Sequence, residues 1–194
     1  MRSLFVTGCV LMCAVLSMGA ASAGSAGFTT KLGEDVYVNA SMVDTNYGLG
    51  TTLWVSSNDG DPENITYLKF MNNLENVGVE SGDDIESASL KIYVTDVETK
   101  GDIIAYFSEE NFFEETVTWS DKLEYLEDAT ATLSIDEEGW CTFDATEIMK
   151  MAAEECLTCP FAIVLIAEDD ASICFASKEE SDGNEAVLDY TTSG

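Results

Sequence analysis

The sequence predicts an all-β protein, a jelly-roll-like antiparallel β-sandwich with one short helix. Three observations predict it. Residues Ala88–Thr95, ASLKIYVT, alternate strictly. Ala88, Leu90, Ile92 and Val94 fall on one side and Ser89, Lys91, Tyr93 and Thr95 on the other, the period of a strand with one dry and one wet face. Phe161–Ala167, FAIVLIA, is apolar throughout, as a strand covered on both sides would be. With these two included, roughly ten short segments of strand character are separated by Gly, Asn, Asp and Ser, the spacing of a sandwich or barrel.

In chain order, residues 1–23 read as a secretory signal. Arg2 is the charged start, Leu4–Leu16 an apolar run too short to span a bilayer, and Ala21-Ser22-Ala23 a small-residue cleavage site, so the exported chain starts at Gly24. Val6-Thr7-Gly8-Cys9 is like a lipobox but lies ahead of the apolar core, where a lipid anchor site does not belong. Residues 24–33 are small and polar, a flexible lead-in, and a single domain covers 34–194. Its strands are expected at Glu34–Asn39, Thr52–Ser56, Ile65–Met71, Ala88–Thr95, Asp102–Phe107, Glu114–Trp119, Thr130–Ile135, Gly139–Phe143, Phe161–Ala167, Ser172–Ser177 and Ala186–Tyr190. Val43–Gly50 and Ser57–Asn64 are loops rich in residues that tolerate positive φ. One stretch has another period. Asp144 is followed at capping-box spacing by Glu147, and Ile148, Met151, Ala152 and Cys156 recur at helical intervals, so a helix is expected near 145–156, ended by Pro160.

Charge removes whole classes of function. The chain of 194 residues carries 37 acidic and 8 basic residues, no histidine, and a net charge of −29. Arg2 is the sole arginine, so lysine is the only cation of the exported chain. Such a field repels nucleic acid and anionic lipid, and without histidine there is no Ser-His-Asp or Cys-His machinery. With 46% hydrophobic residues, the acid belongs to the surface of a folded domain. No later apolar run is long enough to cross a membrane.

Among the remaining motifs, Cys141, Cys156, Cys159 and Cys174 survive cleavage, and an even number in an exported protein suggests disulfides. Cys156-Leu-Thr-Cys159 sits at a predicted helix C-terminus in acidic surroundings, which disfavours the thiolate that redox chemistry needs. Structural bonds are therefore expected, Cys141 with Cys174 across strands and Cys156 with Cys159 locally, or between molecules. Asp59, Asp61 and Glu63 surround Gly60 and could hold Ca²⁺, although an ordinary acidic turn has the same composition. Tyr37, Tyr47, Trp54, Trp119 and Trp140 could stack on pyranose rings or simply pack. Asn39 and Asn64 begin glycosylation sequons. Carboxylate pairs such as Glu114 and Glu115 imitate a glycosidase dyad, but with 37 acids such pairs arise by chance, and no enzyme activity is expected.

Taken together, the segments resemble the DNRLRE domain, the family allied to disaggregatase-related and alginate-type carbohydrate-binding modules. The likeness runs from about Glu34 to Tyr190. It rests on Asp35-Val36-Tyr37-Val38, on Asn46-Tyr47-Gly48 followed by Leu53-Trp54-Val55, on Tyr67-Leu68-Lys69-Phe70, and on Ala88–Val94. It continues through Glu115-Thr116-Val117-Thr118-Trp119 and Phe143-Asp144-Ala145-Thr146 to the closing Phe175–Glu180 and Val187–Tyr190. The resemblance implies a jelly-roll-like sandwich and a non-catalytic role. Two functions follow as expectations. One is a structural building block of an extracellular layer, a sheath, coat or filament that self-assembles through sheet edges, cations and disulfides. The other is a stand-alone carbohydrate-binding module for an acidic or cell-surface polysaccharide.

Overall fold

The computed structural model describes residues 25–71, 74–180 and 182–193; the signal expected at residues 1–23 lies outside them. Eleven strands, β1 (Ala26–Thr30), β2 (Leu32–Asn39), β3 (Thr52–Asn58), β4 (Asp61–Phe70), β5 (Ile85–Thr99), β6 (Gly101–Ser108), β7 (Leu126–Ile135), β8 (Gly139–Asp144), β9 (Phe161–Ala167), β10 (Ser172–Ala176) and β11 (Val187–Thr192), are joined by one helix, α1 (Thr146–Glu155). All pairings are antiparallel. The strands form one continuous sheet in the order β1-β11-β5-β10-β3-β4-β9-β6-β7, with β2 added to β4 and β8 to β5. It curls into a sandwich: β1, β11, β5, β8 and β10 make one half, β2, β4, β9, β6 and β7 the other, and β3 joins them between β10 and β4.

The alternation of β5 decides which side faces inward. Leu90, Ile92 and Val94 are fully buried in the main core, beside Phe143 of β8 and Phe175 of β10 in the same half, and share that core with Ile163, Leu165 and Phe107 of the other. The all-apolar β9 divides its side chains between two cores. Phe161, Ile163, Leu165 and Ala167 enter the main one. Ala162, Val164 and Ile166 enter a second, with Val36, Val38, Ile65, Tyr67, Phe112 and Val117. That second core lies on the outer side of the β4/β9 half, and the segment 109–125 covers it. The helix buries Ile148, Met149, Ala152 and Ala153 and packs on β5, β7 and β6.

Four expectations are corrected. The lead-in 24–33 contains β1, whose Phe28 pairs with Tyr190 and packs against its ring; strand pairing orders a stretch too polar to signal itself. Glu114–Trp119 is no strand. Its carbonyls at Glu114 and Val117 accept the Asn46 amide at 2.6 and 2.7 Å, so a side chain takes the bonds a ladder would have used. The capping box at Asp144 does not close either: Asp144 accepts from the Thr146 N–H and hydroxyl, while Glu147 pairs with Lys150. Finally, Cys141 and Cys174 are free thiols. They lie on opposite edges of β5, level with Ile92 and Asp96, on the order of 15 Å apart by strand geometry, where a disulfide needs Cα atoms within about 7 Å. Cys156 and Cys159 are bonded, just beyond α1.

Candidate functional site

Among the described residues, no segment comparable to 109–125 covers the outer side of the β5 half. Register sets what stands on it, because residues directly opposite one another share a face. Tyr93 lies opposite Trp140, Lys91 opposite Thr142, and Ser89 opposite Asp144 on β8. On the other edge Asp189 stands opposite Ser89 and Thr191 opposite Ser87, and Thr29 of β1 lies opposite Asp189. The wet residues of the central strand therefore become the middle row of an open polar face.

Its parts are held in place. Trp140 is 52% exposed, and its ring meets Tyr93 edge-on at 5.4 Å. The Lys91 ammonium donates to Asp189 Oδ2 at 2.8 Å, and the Thr29 hydroxyl to Oδ1 at 2.6 Å. These two bonds hold the Asp189 carboxyl below its ordinary range. Bonds from the Thr146 hydroxyl and N–H do the same for Asp144. The Ser87 and Thr191 hydroxyls are 2.8 Å apart. A shallow groove of about 860 Å³ runs along the edge of this face, between Ser89, Thr142 and Asp144 of β5 and β8 and Thr130 and Thr132 of β7, and a smaller one of about 330 Å³ lies by Phe28, Asp189 and Tyr190. Both reach Ser87–Ser89. An exposed indole face beside rows of hydroxyls and carboxylates matches a sugar ring, whose C–H faces stack on aromatics and whose hydroxyls hydrogen-bond.

The opposite outer side is closed by the cover segment, and a network of charges holds it down. Lys69, buried, sits 2.6 Å from Glu34 Oε1 and donates to the Phe112 carbonyl and to Asn111. The Glu114 N–H donates to Glu34 at 2.7 Å, and the Asp35 N–H to Glu114 at 3.1 Å. Lys178 bridges Glu114, at 2.9 Å, and Glu179. The oxygens of Asp35, Glu114 and Glu179 come within 4.8 Å of one another, the one such group of three among the described residues. These are the carboxylates that could hold a metal, yet the Lys178 ammonium already supplies a cation to two of them. Burial pushes Asp35 up to about 7 against the bonds it accepts from the Lys178 N–H and Ser177. The Ser177 hydroxyl lies 2.8 Å from Asp35 and 2.5 Å from Glu179, and its single proton serves one of the two carboxylates at a time.

The residues singled out in the sequence scatter over the molecule. Trp140 alone of the expected stacking residues stands on the open face. Tyr47 stacks on Tyr37 at 4.4 Å, Trp54 is half-buried on β3, and Trp119 lies under the Lys122 ammonium at 4.6 Å, in a cleft of about 350 Å³ with Tyr125 and Ile166. Asp59, Asp61 and Glu63 do not converge. Asp59 and Gly60, both at positive φ, form the two-residue turn of the β3–β4 hairpin, which is what an Asp-Gly pair is suited to. The Asn39 amide donates to Asn64, and the Asn64 amide to Ser56, so both sequon nitrogens are engaged, one between β2 and β4 and the other between β4 and β3. The sequence reading missed Lys91, Tyr93, Thr142, Asp144 and Asp189 as a group. The polar half of β5 was the signal, but only pairing shows which residues join it. It also missed the Asp35–Glu114–Glu179 group, whose members are distant in sequence.

The family model of carbohydrate-binding module family 96 matches residues 26–192, from the first strand to the last. No curated protein matches the chain.

Proposed function

The chain belongs to carbohydrate-binding module family 96, and from that premise we propose that it is a non-catalytic module that binds a polysaccharide outside the cell. The observation that carries the reading is the family match over all eleven strands, joined to an open sheet face with an exposed tryptophan. The glycan lies along β8, β5, β11 and β1, stacked on Trp140 and bonded through Ser89, Thr142, Asp144 and Asp189. The finer likeness to the DNRLRE domain belongs to the same reading. Its segments at Asp35, Asn46-Tyr47-Gly48, Glu115–Trp119 and Lys178-Glu179 meet around the charge network, where they shape the sandwich rather than the open face. Glu114 is tied to Lys178 and to the Asp35 N–H, an unsuitable state for a glycosidase carboxylate. No helix among the described residues is long and apolar enough to cross a membrane. The building-block reading draws on no comparable observation.

Affinity electrophoresis of the protein through gels containing soluble polysaccharides tests this. Retardation in at least one gel, lost in Trp140→Ala, is the expected result. Unretarded migration in a broad panel of neutral and acidic polymers would remove the reading.

A further inference from the structure

We propose that the groove between β7 and β8 is a docking site for an extended, basic segment of another protein, which enters it as one added strand. This stands apart from the glycan reading, because it turns on β7, which belongs to the other half of the sandwich.

Among the described residues β7 pairs with β6 alone and β8 with β5 alone. Each therefore keeps one edge of backbone N–H and C=O groups without a strand partner. The turn at 136–138 joins the two strands across the sandwich. The groove of about 860 Å³ lies between them, with Thr130, Ala131 and Thr132 on one wall and Thr142, Phe143 and Asp144 on the other. Facing sheets lie about 10 Å apart and paired strands about 4.8 Å apart, so a gap between an edge of each half has room for one strand. The β7 wall suits such pairing. Its run Ala129–Ile135, ATATLSI, carries no charge in a chain with 37 acidic residues, and Thr130 and Thr132 are exposed. Edges that stay single are blunted by lysine, proline or inward charge; this run has none of them.

Charge selects the occupant. Counted outward from the turn, Thr132 and Thr142 are level, then Thr130 and Asp144, then Glu127 and Glu147. Asp128 neighbours Glu127 on β7, and Glu86 lines the groove from β5, three residues before the Ser89 that stands opposite Asp144. Carboxylates thus gather at the end remote from the turn, beside a neutral middle of threonines. The nearby cations are engaged or lie elsewhere. Lys150 is held by Glu147 and Lys91 by Asp189, each at 2.8 Å. Lys122 lies over Trp119. Lys31 follows β1, with β11 and β5 between it and β8. Lys100 stands at the turn end, next to the Gly101 that pairs with Ile135. A basic segment entering from the remote end gains charge-assisted bonds and long-range attraction there, and its main chain bonds to the strand edges. A second copy cannot supply that segment. Lysine is the only cation of the described residues, and the nearest two, Lys91 and Lys100, are nine residues apart.

Fluorescence anisotropy with a labelled peptide, Lys-Lys-Thr-Val-Thr-Val-Thr-Lys-Lys, tests this. Two control peptides keep the length. One has proline in place of the central threonine, which keeps the charge and removes strand pairing; the other has glutamate in place of every lysine. Saturable binding at least about tenfold tighter than that of either control, with slowed amide exchange in 126–135 and 139–144, is expected. Thr132→Lys, which puts an ammonium in the groove, should weaken binding at least about tenfold, while Thr132→Val, which keeps strand propensity, should retain it. Equal binding of the proline peptide would show mere attraction to a net charge of −29 and overturns the proposal. Equal binding of the glutamate peptide overturns it too, by showing an edge indifferent to charge. Absence of binding, or binding unchanged in Thr132→Lys, also overturns it. Dimerisation of the free protein in sedimentation, with the β7 amides protected, gives the groove to a second copy. Protection of those amides by a polysaccharide and not by the peptide gives it to a glycan. Either result overturns the proposal.

Discussion

The two outer faces of the sandwich start from similar strands and end in opposite states. On the β4/β9 side, Tyr67, Val164 and Ile166 point outward and are buried, because Phe112 and Val117 of the cover segment lie on them. On the β5/β8 side, Lys91, Tyr93, Trp140 and Thr142 point outward, and Trp140 is half in water. An apolar outer row must be covered, and once covered it cannot meet a ligand; a mixed row of hydroxyls, charges and one indole stays open at little cost. The comparison teaches that the position of the binding face follows from where the chain spent its cover segment.

The largest effect should come from breaking the covered face. Phe112→Ala removes a ring that is 4% exposed and packs on Tyr67 at 6.1 Å between centroids. It should cost about 3–5 kcal/mol, measured by urea unfolding. A cost below about 1 kcal/mol would show that segment 109–125 merely rests there.

Next comes the charge network beneath the same segment. A carboxyl that titrates near 7 in the folded protein and near 3.8 ordinarily binds its proton more tightly when folded. Its stabilising contribution is complete below the unfolded value and is lost as pH rises from about 4 through about 7, a difference on the order of a few kcal/mol. Stability should therefore fall between about pH 4 and pH 7, and Asp35→Asn should flatten much of that fall. Asp144 and Asp189, whose carboxyls are held below their ordinary range, contribute with the opposite sign and at lower pH, and the variant leaves them in place. An unchanged slope in Asp35→Asn would reject the assignment.

Gly48 tests how the cover is locked. A Cβ there would lie 2.1 Å from the Glu114 carbonyl oxygen, a backbone atom, so loop 43–50 or segment 109–125 must move. Gly48→Ala should cost about 1–3 kcal/mol, with faster amide exchange in both segments. Protection unchanged from the wild type would contradict it.

The smallest effect should be on the open face. Trp140→Ala should change stability by no more than about 0.5 kcal/mol while abolishing retention by polysaccharide. A loss of several kcal/mol would mean that the indole is packing rather than platform, and would erase the contrast with Phe112.

Much of the fold was legible in the residues. Leu90, Ile92 and Val94 point inward as their alternation requires, FAIVLIA is buried on both sides, and the helix falls within a residue of its expected bounds. These signals are local, since side-chain direction along a strand or helix follows from backbone geometry alone. The failures were local signals overruled from a distance. Glu114–Trp119 has the β-branched composition of a strand, but Asn46, some seventy residues earlier, takes its carbonyls. Cys141 and Cys174 are even in number but flank β5 on opposite edges.

The sequence by itself determined the β class, the buried side of the central strand, the acidic surface and the absence of histidine chemistry, because each depends on composition or on a period of two. Tertiary structure alone decided which of three tryptophans is the most exposed, which lysines are already paired, and that Asp35, Glu114 and Glu179 share one place. Those outcomes depend on strand register and on the path of a cover segment, and register joins residues that no local pattern connects.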